Sequence, residues 1–346
     1  MLILTNFRLV AVLGIGNLLF VNFDITSLVP CPETLITEIP AIPGPEDSAY
    51  IVIKLIIASI EFKYINFSMI IWIASYPKSG NTYVRSLLSA YYFSNDGDFN
   101  FGLLKNIKQF PSNDFFESEF ENVDEASRNW ILGQKKIKEK KKALFLKTHS
   151  CLGFYKGQPF TSPEYTLGGI YIVRDPRNVI TSVMNHFELN LDEALKFLTD
   201  PHKNTMDPDS KDYRTWVLLS NWSSHYNSWC KSKNFRKLVI RYEDFEKEKY
   251  ETFRDIIVFT NTLLSRTERV DKEKLERAIE TTNFSVLKNK EKNEGFDEAL
   301  FSKKDKKKKV FFNLGFNNRW KKLLRDDIKE KIEGEFTKEM KELGYL

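Results

Sequence analysis

Three short stretches carry residue types able to hold an anion and move a proton. The first is SYPKSGNTYV, Ser75 to Val84, which follows the apolar run Met69 to Ala74. A strand turning through Lys78, Ser79, Gly80, Asn81 and Thr82 into a helix offers backbone N–H groups, the positive helix end and one ammonium to a phosphate-like group. It is not a Walker A loop. That pattern puts Lys and Ser/Thr after the second glycine, where they reach the terminal phosphates and magnesium, whereas Lys78 precedes Gly80. The second stretch is VRDPRNVITSVMNHF, in which Arg174 supplies a planar fork suited to a phosphate monoester and Ser182, eight residues on, a hydroxyl donor. The third is LKTH, where His149 ends an apolar run. An imidazole at its ordinary pKa of about 6.5 can accept a proton near neutral pH. Lys147 lies two residues earlier, on the same side of a strand, where it can face negative charge developing in a reaction.

These residues need elements that bring them together. MIIWIAS (69–75), KALFLKTH (142–149), GGIYIVR (168–174) and KLVIRYEDF (237–245) are strand-like apolar runs ending in polar residues. Helical patterns separate them. TYVRSLLSAYYF puts Val84, Leu87, Leu88 and Tyr91 on one face, and further helices are expected over 176–187 and across the Trp-rich 213–231. Alternation of this kind predicts a single α/β domain with a parallel sheet flanked by helices, and ligands bind such sheets at the carboxyl ends of the strands.

In order along the chain, four stretches resemble the sulfotransferases that use 3′-phosphoadenosine-5′-phosphosulfate (PAPS). YPKSGNTY is similar to their 5′-phosphosulfate loop, YPKSGTTW; LKTH to the strand end with the catalytic histidine; VRDPRNVITSV to the 3′-phosphate element; and TTNFSVLK (281–288) to an adenine-side stretch, TSFxxMK. The resemblance covers most of residues 69–324. It implies a P-loop-like sulfotransferase fold, PAPS as co-substrate, and transfer of the sulfuryl group to a hydroxyl or amine by in-line displacement without a metal. His149 would be the base, Lys147 would face the sulfuryl oxygens and Lys78 the bridging oxygen. Ser79, Gly80, Asn81, Thr82, Arg174 and Ser182 would hold the phosphates, with Tyr83, Thr282 and Phe284 around adenine. The family's RKGxxGDWK becomes NLGFNNRWK, so an arginine is missing; Gly315 N–H, Arg319 or the 303–309 lysine run are the compensating candidates. Acceptors implied are small molecules, lipids or carbohydrates, with a pocket shaped by residues 93–142 and 189–213. Two other readings are an ATP-dependent kinase, disfavoured by the loop's pattern, and a non-catalytic nucleotide-binding relative.

Composition narrows the class. The 346 residues are 42% hydrophobic and 14% aromatic, enough for a substantial core, and 52 Lys and Arg against 47 Asp and Glu give only +5, which does not call for nucleic acid. Three cysteines without a CxxC pair and four histidines without HExxH spacing suggest neither a disulfide framework nor a metal. Residues 1–68 read as an N-terminal extension ahead of a domain at 69–346, with Met69 a candidate start. Met1 to Phe23 is apolar and near the length of a membrane span, followed by the Pro-rich linker PCPETLITEIPAIPGPEDS. The expected location is cytoplasmic, or membrane-anchored if residues 1–23 form a real span. The family's KxxxTVxxxE dimer stretch is not recognisable, which leaves the oligomeric state open.

Overall fold

The run IIWIAS forms strand β1, Ile70–Ser75, and every one of its residues is buried. A strand covered on both faces needs apolar side chains at successive positions, because alternate ones point into opposite layers. Ile70, Trp72 and Ala74 accordingly join one core cluster, and Ile71 and Ile73 join the other.

The computed structural model describes residues 7–13, 17–23, 69–138, 143–206, 211–302 and 306–346. Besides β1, the main sheet contains β2 (Lys108–Gln109), β3 (Leu144–Thr148), β4 (Thr166–Val173) and β5 (Lys237–Arg241). The spatial order is β5-β4-β1-β3-β2 and every pairing is parallel. β1 pairs with β3 from Ile70↔Leu144 to Ala74↔Thr148 and with β4 through Ser75↔Ile172, so the three strands end side by side. β1 lies at the centre with its two neighbours supplied by later strands. Such a switch point opens a crevice at the carboxyl edge.

The helices that matter for that edge are α1 (Asn81–Phe93), α2 (Val123–Lys138), α3 (Pro176–Phe187), α4 (Leu191–Thr199) and α5 (Trp222–Lys231). They are joined by α6 (Lys249–Leu263), α7 (Lys272–Thr281), α8 (Phe284–Glu294) and α9 (Asp326–Glu335). The start of α3 follows from Asp175-Pro176: the Asp175 carboxylate accepts from Arg177 N at 2.9 Å, and proline occupies the first turn, where its missing N–H costs nothing.

The helix expected over 213–231 is shorter than its aromatic pattern suggested. Tyr213–Thr215 is a 3-10 turn, Val217–Leu218 pairs as a strand with Asn204–Thr205, and Ser220 is left-handed at φ 61°. β-Branched and aromatic residues in WVLL favour the extended form. Asn221 then caps α5 by accepting from Ser224 N at 2.7 Å.

Contacts divide the chain into Met1–Ile65 and Asn66–Leu346. In the first unit Phe7–Leu13 and Asn17–Phe23 pair antiparallel, so the stretch read as a candidate span holds two strands. Among the described residues no helix is long and apolar enough to cross a membrane. The Pro-rich linker, Cys31, and parts of both lysine runs (139–142 and 303–305) lie outside the described residues.

Candidate active site

Between β1 and α1 the chain makes a tight turn whose shape two residues explain. Lys78 has φ 65° and Gly80 φ 103°, both left-handed. A Cβ at Gly80 would come within 2.4 Å of the Tyr242 ring, so close approach and backbone angle both require glycine. Gly80 is also the cap residue of α1 and provides no side-chain cap, so the helix start relies on other partners. Ser79 is fully buried, and its hydroxyl has no hydrogen-bond partner. A buried orphan hydroxyl beside an uncapped helix start is suited to an anion. Asn81 is placed differently from expectation: its Nδ2 donates to Ile73 O (2.9 Å) and Ser75 Oγ (3.3 Å), so its side-chain donor pins β1, and its backbone N–H is what it offers an anion.

The three motifs meet. Lys78, Gly80, Asn81, Thr82, Tyr83, Lys147, His149, Arg174, Ser182, Phe284 and Gly315 all line one cleft of about 940 Å³. Arg174 donates to Lys78 O (3.0 Å) and to Gly315 O (3.4 Å), and its guanidinium lies 4.3 Å from the Tyr242 ring centroid. Its buried Nε has no partner. Tyr83 is buried edge-on against Phe245, Phe253 and Phe316. Thr282 is not at the cleft: it is fully buried and donates to Ala278 O at 2.6 Å, closing the end of α7. Phe284 does reach the cleft, with its ring against Gly315. Of the candidates for the missing arginine, Arg319 pairs with Glu246 and is exposed, whereas Lys309 lines the cleft, donates to Asn185 O and lies 3.5 Å from Glu188.

His149 is held in one tautomer. Its Nδ1 is 2.7 Å from Ser75 O, and a carbonyl can only accept, so the proton sits on Nδ1 and Nε2 keeps its lone pair. Burial, reinforced by the Lys147 charge, lowers its pKa to about 3. The imidazole therefore stays neutral across ordinary pH, unlike the group near 6.5 that its residue type suggests. Beneath it, His225 Nε2 donates to His149 O (3.0 Å) while Tyr171 donates to His225 Nδ1 (2.9 Å). Burial pushes His225 down to about 3 as well.

Cations crowd the cleft. Burial, followed by Lys147 and Arg174, brings Lys78 down to about 7, and its ammonium lies 3.3 Å from His186 Nδ1 and 4.2 Å from the Phe311 ring centroid. Burial and the Lys78 charge take His186 to about 2. Glu298 answers two of these charges, with Oε1 2.7 Å from Arg85 and Oε2 3.3 Å from Lys147. Burial alone would raise Glu298, but Lys147 and Arg85 outweigh it and hold the carboxyl at about 2. Glu298, His186, His225 and Tyr242 carry no motif signal. Arg85 carries none either, since its helical neighbours Asn81, Thr82, Leu88 and Ser89 are mostly polar and do not mark it for burial. Asn318, which accepts from Thr181 (2.8 Å) and donates to Asn178 O (2.8 Å), ties α3 to the C-terminal loop.

The expected acceptor walls are corrected in part. From 93–142 only Gln109 lines the cleft among the described residues, because Phe110, Phe120, Ala126 and Trp130 pack into the core. From 189–213, Thr205 and Met206 reach it, and Phe187, Glu188, Thr215, Val217 and the 298–301 segment, which lie outside both expected stretches, also line it. No group of three or more His, Cys, Asp or Glu among the described residues has metal-site geometry.

Comparisons with known proteins bear on the family and the fold. A profile described as "Sulfotransferase domain" matches residues 69–344. Sulfotransferase 1E1 of Rattus norvegicus is 25% identical over 273 residues, covering 78% of this chain and 83% of that relative. The Mus musculus protein of the same name is 26% identical over the same length and coverage. Among solved structures, retinol dehydratase in complex with androsterone and the inactive cofactor PAP superposes with a TM-score of 0.50 at 17% identity, covering 80% of this chain and 81% of that one, a likeness of fold. By the match of its residues 69–344, the chain belongs to the sulfotransferase domain family.

Proposed function

We propose that the cleft binds PAPS and that His149 Nε2 takes the proton of a hydroxyl or amine acceptor as the sulfuryl group moves to it. The observation that carries this reading is the locked tautomer: His149 Nδ1 is bound to Ser75 O, and the unprotonated Nε2 belongs to a residue lining the same cleft as Lys78 and Lys147. A neutral imidazole is a base ready to act, with no proton to lose first.

The residues present fit the co-substrate. Arg174 and Ser182, both lining the cleft, would hold a 3′-phosphate, with the unpartnered Arg174 Nε as a donor still to be satisfied. Gly80 keeps the turn open to a 5′-phosphosulfate near the α1 start, where Asn81 and Thr82 would offer backbone N–H groups. Tyr83 and Phe284 would flank the base; Thr282, off the cleft, closes the end of α7 instead. Lys309, which lines the cleft, is the candidate to compensate for the missing phosphate-binding arginine. When bound, PAPS supplies an activated sulfuryl group. His149 receives the acceptor proton as the new S–O or S–N bond forms. Lys78 and Lys147 offset the charge that builds as the old S–O bond breaks. Phe187, Met206 and Val217 give the acceptor end an apolar wall, which suits a small molecule with an apolar body.

Calorimetric titration with adenosine 3′,5′-bisphosphate against ATP plus magnesium tests the donor. Tight bisphosphate binding with no ATP response is expected; the reverse overturns the reading. With labelled PAPS, His149→Ala is expected to cut turnover by about 10²–10⁴-fold, the ordinary range for loss of a general base.

A further inference from the structure

Exposed large apolar side chains are concentrated in one stretch of the chain that borders the cleft. Of the ten among the described residues, four fall between positions 300 and 314: Leu300, Phe301 (62% exposed), Val310 (55% exposed) and Leu314. Leu300, Phe301 and Leu314 also line the cleft. The segment is held in shape by strands β6 (Phe301–Ser302) and β7 (Lys307–Lys308), paired Phe301↔Lys308 and Ser302↔Lys307, and by Lys309 N donating to Leu300 O at 2.8 Å. Period-two alternation buries Ser302 and turns Phe301 outward. Lys306, Lys307 and Lys308 are exposed on the same hairpin, Lys308 leaning on Phe296 O at 3.4 Å.

A rim that mixes an exposed phenylalanine and valine with three exposed lysines has the chemistry of a surface that seats at the headgroup level of an anionic bilayer: apolar side chains enter the acyl boundary while lysines meet the lipid charge. A polyanion in water would match the lysines but leave Phe301 and Val310 unused. We propose that this hairpin docks the cleft mouth on a membrane containing anionic lipid, so that the acceptor enters from the bilayer. The acceptor would then be an amphiphile with an apolar body and a hydroxyl or amine at headgroup depth. That last step rests on the sulfuryl-transfer reading; the docking does not.

Sedimentation of the purified full chain with vesicles separates the two. The wild-type chain is expected to co-sediment with phosphatidylcholine vesicles containing phosphatidylserine, weakly with phosphatidylcholine alone, and less at high salt. Each lysine near an anionic surface is worth a factor of about five in partitioning, so Lys306→Ser, Lys307→Ser and Lys308→Ser together are expected to weaken it about a hundredfold. Val310→Ser is expected to weaken the binding that survives at high salt. Unchanged melting and unchanged binding of adenosine 3′,5′-bisphosphate in these variants would show that the fold is intact. The docking idea is overturned if the wild-type chain stays in the supernatant, if the triple variant sediments equally well, or if heparin binds and vesicles do not. Vesicle binding without any response to the bisphosphate would instead overturn the proposed donor and leave docking standing.

Discussion

Glu298 is one carboxylate shared by two buried cations, Arg85 and Lys147. Removing one partner of such a group leaves an uncompensated buried charge, which costs far more than a surface pair contributes. Burial already lowers Lys147, with Glu298 opposing that shift and Arg85 adding to it. Lys78 and the neutral imidazole of His149 also neighbour this group. Glu298→Gln is therefore expected to let Lys147 deprotonate at lower pH, so that kcat falls most on the alkaline side of the pH–rate profile while Glu298→Asp restores part of it. A uniform loss at every pH would rule out this effect on Lys147. At Lys78, whose pKa sits at about 7, bound anions favour the ammonium. Binding of adenosine 3′,5′-bisphosphate is expected to take up protons one pH unit above that value and almost none one unit below. Calorimetry in buffers of differing ionisation heat measures this, and Lys78→Met should abolish the difference.

At the scale of elements, the turn between β1 and α1 depends on Gly80 lying under Tyr242. Gly80→Ala puts a Cβ into that ring at a left-handed φ, and such strain costs of order 1–3 kcal/mol. Both the melting temperature and bisphosphate affinity are expected to fall; Tyr242→Ala in the same chain should recover part of the stability, read by denaturant unfolding. Much of this layer was legible beforehand. Strands buried on both faces announce themselves as continuous apolar runs, and Asp175-Pro176 announces a helix start. The helix at 222–231 was overextended because aromatic spacing cannot distinguish a helix from WVLL folded as a strand. Thr282 shows the same weakness in the site: its place in a motif-like stretch pointed to the ligand, yet its hydroxyl closes its own helix.

For the whole molecule, buried histidines should dominate acid sensitivity. His149 and His225 both have native pKa values of about 3, below the unfolded value of about 6.5. The unfolded chain thus binds protons first, and the stability of the neutral native form is lost as pH falls from about 6.5 toward 3. A urea series over that range is expected to show falling midpoints, and His225→Gln should lessen the slope by up to about 1.4 kcal/mol per pH unit, one proton's worth. An unchanged slope would mean that His225 is already neutral or charged alike in both states. The overall architecture could be read from alternation along the chain. The cation balance of the cleft could not, since Glu298 and Arg85 are 213 positions apart and only tertiary folding brings them to 2.7 Å.

Arg174 spans the phosphate turn and the C-terminal loop by donating to Lys78 O and Gly315 O. Both acceptors belong to the main chain, so no side-chain replacement at either end can delete them. In a genetic scan the linkage would be silent at 78 and 315, where any defect reports on charge or backbone angle, and visible only at 174. Arg174→Lys would then behave as a null for loop coupling despite keeping its charge, and loss-of-function alleles affecting both loops should converge on that single codon.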